Sequence, residues 1–409
     1  MISASDRSLL RDLASRVAEH ASSPRREALA ERWRRHNRLE RVGPMVVVWP
    51  EGSWVEVLPE EALLCTDPLA RAWEAELRRR LIHAEFLKDD TPITSVFRVG
   101  WIWSDTGYGV EVPREQGEHR GSYAWSPPFD SFEGIPARLS ARRVRVDEEA
   151  TRRQAAMAEE VFDGLLQVEV GGSFWWTLGL TWRAIDLVGL EGLMLGMVED
   201  PSGVHRLMAW LRDEHAQFLD QLEQGGWLTP NTADHAIASG GYGFTDEIPA
   251  PEPGEAATCA NLWGFAESQE TVGVSPSMFA EFVLPYQRPL LERFALNCYG
   301  CCEPLDGRWE SVRTLPRLRR VSVSPWCDQR FMAEALGDRY VFSRKPNPSL
   351  VCVGFEEEAI RRDLRETLDA ARDCVLEIIL KDTHTVEGDP SRLSRWVHLA
   401  REEIARANL

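Results

Sequence analysis

Ala295-Leu-Asn-Cys-Tyr-Gly-Cys-Cys-Glu-Pro304 begins as a short apolar strand and ends as a loop that carries three cysteines and a carboxylate. The same change from strand to polar loop recurs downstream. Arg320 to Val323 leads into Ser-Pro-Trp-Cys-Asp at 324–328, Tyr340 to Ser343 into Ser-Arg-Lys-Pro-Asn-Pro at 343–348, and Val375 to Leu380 into Lys-Asp-Thr-His-Thr at 381–385. Helical patterns separate these strands, over Trp309 to Leu315, Asp328 to Leu336 and Phe355 to Arg372. One from Ser275 to Phe294 precedes the series, and one from Pro390 to Ala407 closes it. Strands alternating with helices through short loops predict a parallel sheet, because each helix carries the chain back to start the next strand in the same direction. The length fits one α/β (β/α)8 TIM barrel over residues 45–409, with an N-terminal helical extension over 1–44. A doubly wound open sheet is the alternative, but no Gly-rich dinucleotide fingerprint follows any strand.

Working back from that stretch, two helical patterns, Asp6 to His20 and Pro24 to Leu39, make up the extension; Leu9, Leu10, Leu13 and Val17 give the first an apolar stripe. Met45 to Trp49 and Ser95 to Val99 read as strands, and Asp147 to Leu166 and Pro201 to Gln224 as helices. Gly240 to Ala256, rich in Gly, Pro and acidic residues, reads as a long surface loop. His205 and His215 read as surface residues of their helix, and His235 as a structural histidine.

The net charge of −18 over 409 residues argues against nucleic acid, which needs a cationic surface, and against an anionic membrane. No segment approaches the ~20 apolar residues of a membrane span, and Met1 to Leu10 lacks the apolar core of a signal peptide. A cytoplasmic protein is therefore expected. In a reducing compartment its clustered cysteines read as ligands or reactive groups, and scattered ones such as Cys65 and Cys374 as core residues.

In barrels of this type the reactive groups come from the loops after the strands, and here four successive loops supply charged or metal-binding side chains. Cys298 and Cys301 have a two-residue gap that lets both sulfurs reach one ion; Cys302 joins them if Gly300 bends the chain, and His384 or Glu303 could complete a zinc site. The alternative is a cysteine-rich turn. Glu303 is a candidate base, or a partner of Arg308. Asp328 is a candidate proton carrier, or the cap of the following helix. Lys345 could hold an anionic substrate group. Lys381, Asp382 and His384 leave a buried strand together, which favours function over a plain strand-end ion pair.

These segments resemble the uroporphyrinogen decarboxylase superfamily, which includes corrinoid- and thiol-linked methyltransferases. The resemblance rests on Gly189 to Pro201, Ser275-Pro-Ser-Met278 with Pro285-Tyr286, Tyr299 to Pro304, Val321 to Asp328, Gly337-Asp-Arg-Tyr340 and Lys381 to Thr385. It implies a (β/α)8 barrel. Nothing in residues 1–60 matches the Arg-Gln-Ala-Gly-Arg segment of the true decarboxylase, so the methyltransferase branch is the better match. That branch holds zinc with a His-x-Cys pair and a later cysteine. Here Tyr299 stands in the histidine's place and Cys301 fits the first cysteine, but the later cysteine has no clear match in Lys381 to Thr385, where His384 stands instead.

The resemblance thus implies a zinc-dependent methyl or alkyl transferase acting on a small-molecule substrate, with a thiol or a corrinoid on a separate partner protein. Homodimers are common among such enzymes. Two other functions stay open: a metal-free decarboxylase or lyase working through Lys345, Lys381 and Asp382, and a non-catalytic binding barrel with Trp101, Trp103, Trp175, Trp176, Trp263 and Trp326 around a ligand.

Overall fold

Short strands of four to six residues set the architecture, and those at the centre of the main sheet are largely buried. The structure, a computed structural model, describes residues 2–116 and 123–409. Eight strands have parallel partners: β1 Met45–Val48, β2 Val96–Val99, β3 Gln167–Val170, β4 Trp263–Ala266, β5 Leu296–Tyr299, β6 Leu318–Val323, β7 Val341–Arg344 and β8 Val375–Leu380. Six form one sheet in the order β1-β8-β7-β6-β5-β4, parallel throughout. β2 and β3 form a separate parallel pair. The first strand therefore lies beside the last, with Val46 opposite Ile378.

The expected cylinder is not closed by strand ladders among the described residues. Side chains satisfy the free edges instead. At β1, Asp90 and Asp89 accept from the backbone N–H groups of Val46 (2.7 Å) and Val48 (2.9 Å). At β4, Asn231 Oδ1 accepts from Trp263 N at 2.8 Å and Asn231 Nδ2 donates to Trp263 O at 3.2 Å, while Leu178 N donates to Phe265 O at 2.9 Å. A buried edge must find such partners, since an unpaired peptide group away from water costs about as much as a lost hydrogen bond.

Alternate residues of β8 face opposite ways. Leu376, Ile378 and Leu380 pack into the main apolar cluster with Leu364, Leu368, Leu393 and Trp396 of the outer helices. Glu377 faces the other side. It binds Arg320 at 2.8 and 3.1 Å and His36 Nε2 at 3.1 Å, and it accepts from Ser343, to which the Lys345 ammonium also donates. Arg320 in turn donates to Asn37 Oδ1 at 2.7 Å. The helix Pro24–Asn37 thus delivers His36 and Asn37 onto the charged inner face of the sheet. The helix Ala4–Ala21 packs elsewhere, through Leu10 and Leu13 against Trp73, Leu77, Phe97 and Phe162.

Three sequence expectations change. Residues 240–245 are buried and do not form a surface loop. Gly240, at φ +110°, passes so close to β8 that an added Cβ would lie 2.7 Å from Ile379 Cγ2. The glycine pair there is a close-approach device. The helix expected over 275–294 is two helices, Pro276–Phe282 and Leu284–Leu291, because Pro285 starts a new first turn. His215 is buried beside Glu214 rather than exposed. Among the described residues, no helix is long and apolar enough to cross a membrane.

Candidate functional site

After β5 the chain turns sharply at Gly300, whose φ is +93° and whose added Cβ would lie 2.6 Å from Leu305. Only glycine fits that approach. Glu303 then fixes the loop. Its fully buried carboxylate accepts from Cys301 N at 2.9 Å and from Ser268 N at 2.8 Å, tying the end of β5 to the end of β4. Burial raises its pKa. Arg308, the expected partner of Glu303, reaches the same point from the other side and donates to Ser268 Oγ at 3.0 Å.

After β8 the backbone enters the left-handed region at Asp382 (φ +58°), and Glu51, just beyond β1, does the same (φ +47°). Residues of this kind are held there only by surrounding contacts, and they concentrate at functional sites. The two meet directly, Asp382 N donating to Glu51 Oε2 at 2.9 Å. Burial pushes the Glu51 carboxyl upward.

Between these turns lies one compact group. The Lys381 ammonium is 2.7 Å from Asp382 Oδ2, 3.5 Å from Cys301 Sγ and 3.7 Å from Cys302 Sγ. The two sulfurs are 3.6 Å apart, and Cys302 Sγ is 3.5 Å from Asp382 Oδ2. A hydrogen bond from Cys301, backed by the charge on Lys381, holds the Cys302 thiol below its ordinary pKa despite burial. The same hydrogen bond and burial push Cys301 upward. Of the two sulfurs, Cys302 is therefore the one whose ionised form the site favours. Burial opposes the charge of Lys381, but the sulfurs and Asp382 more than offset it and keep it protonated.

The structure brings Cys301, Cys302, Lys381 and Asp382 together, with Glu303 supporting their loop. Four other sequence candidates stand apart. Cys298 faces down the sheet, its Sγ 3.9 Å from Arg320 Nη1, and burial pushes its thiol up to about 11. His384 is exposed. Asp328 is exposed and caps the helix Gln329–Leu336, accepting from Arg330 N at 3.0 Å and Phe331 N at 3.1 Å. Lys345 is buried in the Ser343–Glu377 network, and burial lowers its pKa to about 8.

The zinc expected from the cysteines is not matched by this donor set. Two thiolates on one tetrahedral zinc, with Zn–S bonds of about 2.3 Å, lie about 3.8 Å apart, close to the spacing here. Lys381 Nζ, however, already contacts both sulfurs, at 3.5 and 3.7 Å. Of the further ligands proposed, Cys298 contacts Arg320 instead and His384 is exposed. Among the described residues no group of three or more His, Cys, Asp or Glu side chains is arranged to hold a metal ion.

A cavity of about 510 Å³ adjoins the cluster, lined among others by Trp103, Trp175, Trp176, His235, Trp263 and Phe265. Four of the six tryptophans expected around a ligand line it; Trp101 and Trp326 do not. Its wall residues Ile237, Ala238, Trp263 and Phe265 share one apolar cluster with Cys298, Cys301 and Cys302. His235, read from sequence as structural, has both ring nitrogens buried without a hydrogen-bond partner among the described residues, and burial with nearby Arg98 lowers its pKa to about 4. Glu267, fully buried at the end of β4, was not foreseen either. Burial and the neighbouring Glu270 and Glu303 raise its pKa well above the usual range. Recognising β4 in the sequence would have exposed it, since it occupies the same strand-end position as Lys381.

No protein-family model matches the sequence, and no curated protein sequence matches it. In fold the chain is similar to a solved methyltransferase from Methanosarcina mazei, at a TM-score of 0.52 and 12% identity over 92% of this chain and 99% of that one.

Proposed function

We propose that the eight parallel strands make an interrupted (β/α)8 barrel and that the chain transfers a methyl or other small alkyl group at the mouth of that barrel. The observation that carries the proposal is the ring of contacts around Lys381 Nζ, where an ammonium, two cysteine sulfurs and a carboxylate meet at the ends of β5 and β8. The likeness in fold to a protein named as a methyltransferase supports it.

In this proposal the acceptor is a thiol. Cys302 takes its proton, and Lys381 holds the resulting thiolate by charge. The acceptor sulfur forms a bond to the alkyl carbon. The bond from that carbon to the leaving group breaks, its electron pair goes to the leaving group, and the proton on Cys302 follows. A corrinoid on a separate partner protein would be the alternative acceptor; it would bring no proton for Cys302 to take, so the base step applies to the thiol acceptor alone. No step is routed through zinc, because among the described residues no group of three or more His, Cys, Asp or Glu side chains is arranged to hold one.

Mass-spectrometric detection of alkylated dithiothreitol tests the proposal, using wild type, Cys302→Ser and Lys381→Met with a panel of methyl donors. Loss of product in both variants is expected. Undiminished turnover in both would overturn it. Elemental analysis giving about one zinc per chain, lost with Cys301→Ser, would replace it with a zinc-centred mechanism.

A further inference from the structure

The cavity beside the cysteines has a one-sided chemistry. Its lining contains no Asp, Glu, Lys or Arg. An ionised ligand entering it would give up hydration with no opposite charge to replace it, a cost of several kcal/mol or more. Trp103, Phe174, Trp175, Trp176, Trp263 and Phe265 bring six aromatic rings to the wall, and rings pack against such walls edge-on or offset with a gain beyond the area buried. The volume of about 510 Å³ lies within the range of small-molecule sites.

The polar groups of the lining narrow the ligand further. Ser173 Oγ donates to Trp175 O, Thr229 Oγ1 accepts from Gly172 N at 3.3 Å, and Asn231 is bound at both ends to the Trp263 backbone. These three hold the walls in place. His235 differs, because neither of its buried ring nitrogens has a partner among the described residues. A buried polar group left unpaired costs about 1–3 kcal/mol, so a ligand that pairs with it recovers that loss. A neutral imidazole offers one donor and one acceptor.

We infer that this cavity binds an uncharged, ring-bearing small molecule with a single hydrogen-bonding group directed at His235, and, resting on the transfer reading above, that this molecule is the alkyl donor. Ile237, Ala238, Trp263 and Phe265 line the cavity and belong to the same apolar cluster as Cys301 and Cys302, which places the cavity beside the cysteine loop. Polycarboxylated substrates are excluded by the same absence of charge.

Calorimetric titration of the full chain with phenol, toluene and benzoate at neutral pH tests this. Phenol should saturate one site, with benzoate at least about tenfold weaker. Trp176→Ala should weaken phenol about fivefold or more; Trp176 is half exposed, so the substitution spares the core. In His235→Phe the preference for phenol over toluene should vanish. Non-saturable phenol binding, benzoate binding as tight as phenol, or an unchanged Trp176→Ala would each overturn the assignment. Cys302→Ser separates the two proposals. Phenol binding within about twofold of wild type is expected there; if alkyl transfer also survives in that variant, the transfer reading falls while the cavity assignment stands.

Discussion

Lys381 Nζ lies 3.7 Å from Cys302 Sγ, although their strands are separated by β6 and β7 in the sheet. A fixed ammonium this close favours the ionised sulfur by Coulomb attraction in a water-poor setting.

Removing that charge should be visible without any substrate. Lys381→Met is expected to raise the Cys302 pKa by about 1–3 units. Alkylation of Cys302 by iodoacetamide at neutral pH should then slow about tenfold or more. The half-point of the rate against pH should move upward, while Lys381→Arg keeps most of the wild-type profile. An unchanged profile in Lys381→Met would show that Cys301 alone sets the thiolate.

Glu377 is fully buried against Arg320, His36 and Ser343, and although burial opposes its charge, Arg320 and His36 hold its carboxyl well below the usual range. Arg320→Met leaves that charge uncompensated and should cost about 3–5 kcal/mol in denaturant unfolding. The pH dependence follows from the direction of the shift. A depressed carboxyl stabilises fully above its unfolded pKa of about 4.3, and the contribution is lost as pH falls below that toward the folded value. Glu377→Gln should therefore flatten the acid limb of the stability profile.

Lys345 gives a slope of the same sign in an alkaline window, because burial lowers its pKa from 10.5 to about 8. Between those values the unfolded chain binds the proton and the folded chain does not, so stability should rise with pH across that window, by about 2–3 kcal/mol at most. Below about pH 8 both states are protonated and the slope disappears. Urea midpoints from pH 7 to 10.5 should show the rise in wild type and lose it in Lys345→Met.

His235 should remain neutral to unusually low pH, with a folded pKa of about 4 against the ordinary 6.5. Its ring-proton NMR signals should show no titration above about pH 5. A midpoint near 6.5 would mean that the ring is solvated or paired with a carboxylate, which would also weaken the ligand assignment.

Two glycines isolate the role of the buried turn. Gly240→Ala combines a left-handed φ of +110° with a Cβ only 2.7 Å from Ile379 Cγ2, and it should destabilise by about 2–4 kcal/mol. Gly254→Ala has a left-handed φ of +87° but open space around it, and it should cost about 1 kcal/mol. Equal effects would mean that the turn does not press on β8.

The alternation of strand and helix after residue 275 was legible because each strand there is a short stretch rich in β-branched or other apolar residues, set between helical patterns by short loops. Val375 to Leu380 was read with the bounds it has. Gln167–Val170 and Trp263–Ala266 were not read, the first because half of it is polar and the second because Gly264 interrupts it. The strand-end position of Lys381, Asp382, Cys301 and Cys302 was likewise a property of local order, since residues leaving parallel strands at their C-terminal ends share one mouth. What the sequence could not supply was distance. Whether Cys298 or Cys302 faces the lysine depends on the alternation of side chains along β5 and on the turn at Gly300. Whether an ammonium or an imidazole reaches the sulfurs depends on β8 lying where it does; Lys381 reaches them, and His384, beyond the left-handed residue Asp382, is exposed. The cavity is further still from local order, because its walls come from segments that meet only after the sheet has formed. Local propensity and burial pattern fix the elements; only their packing decides which charges meet.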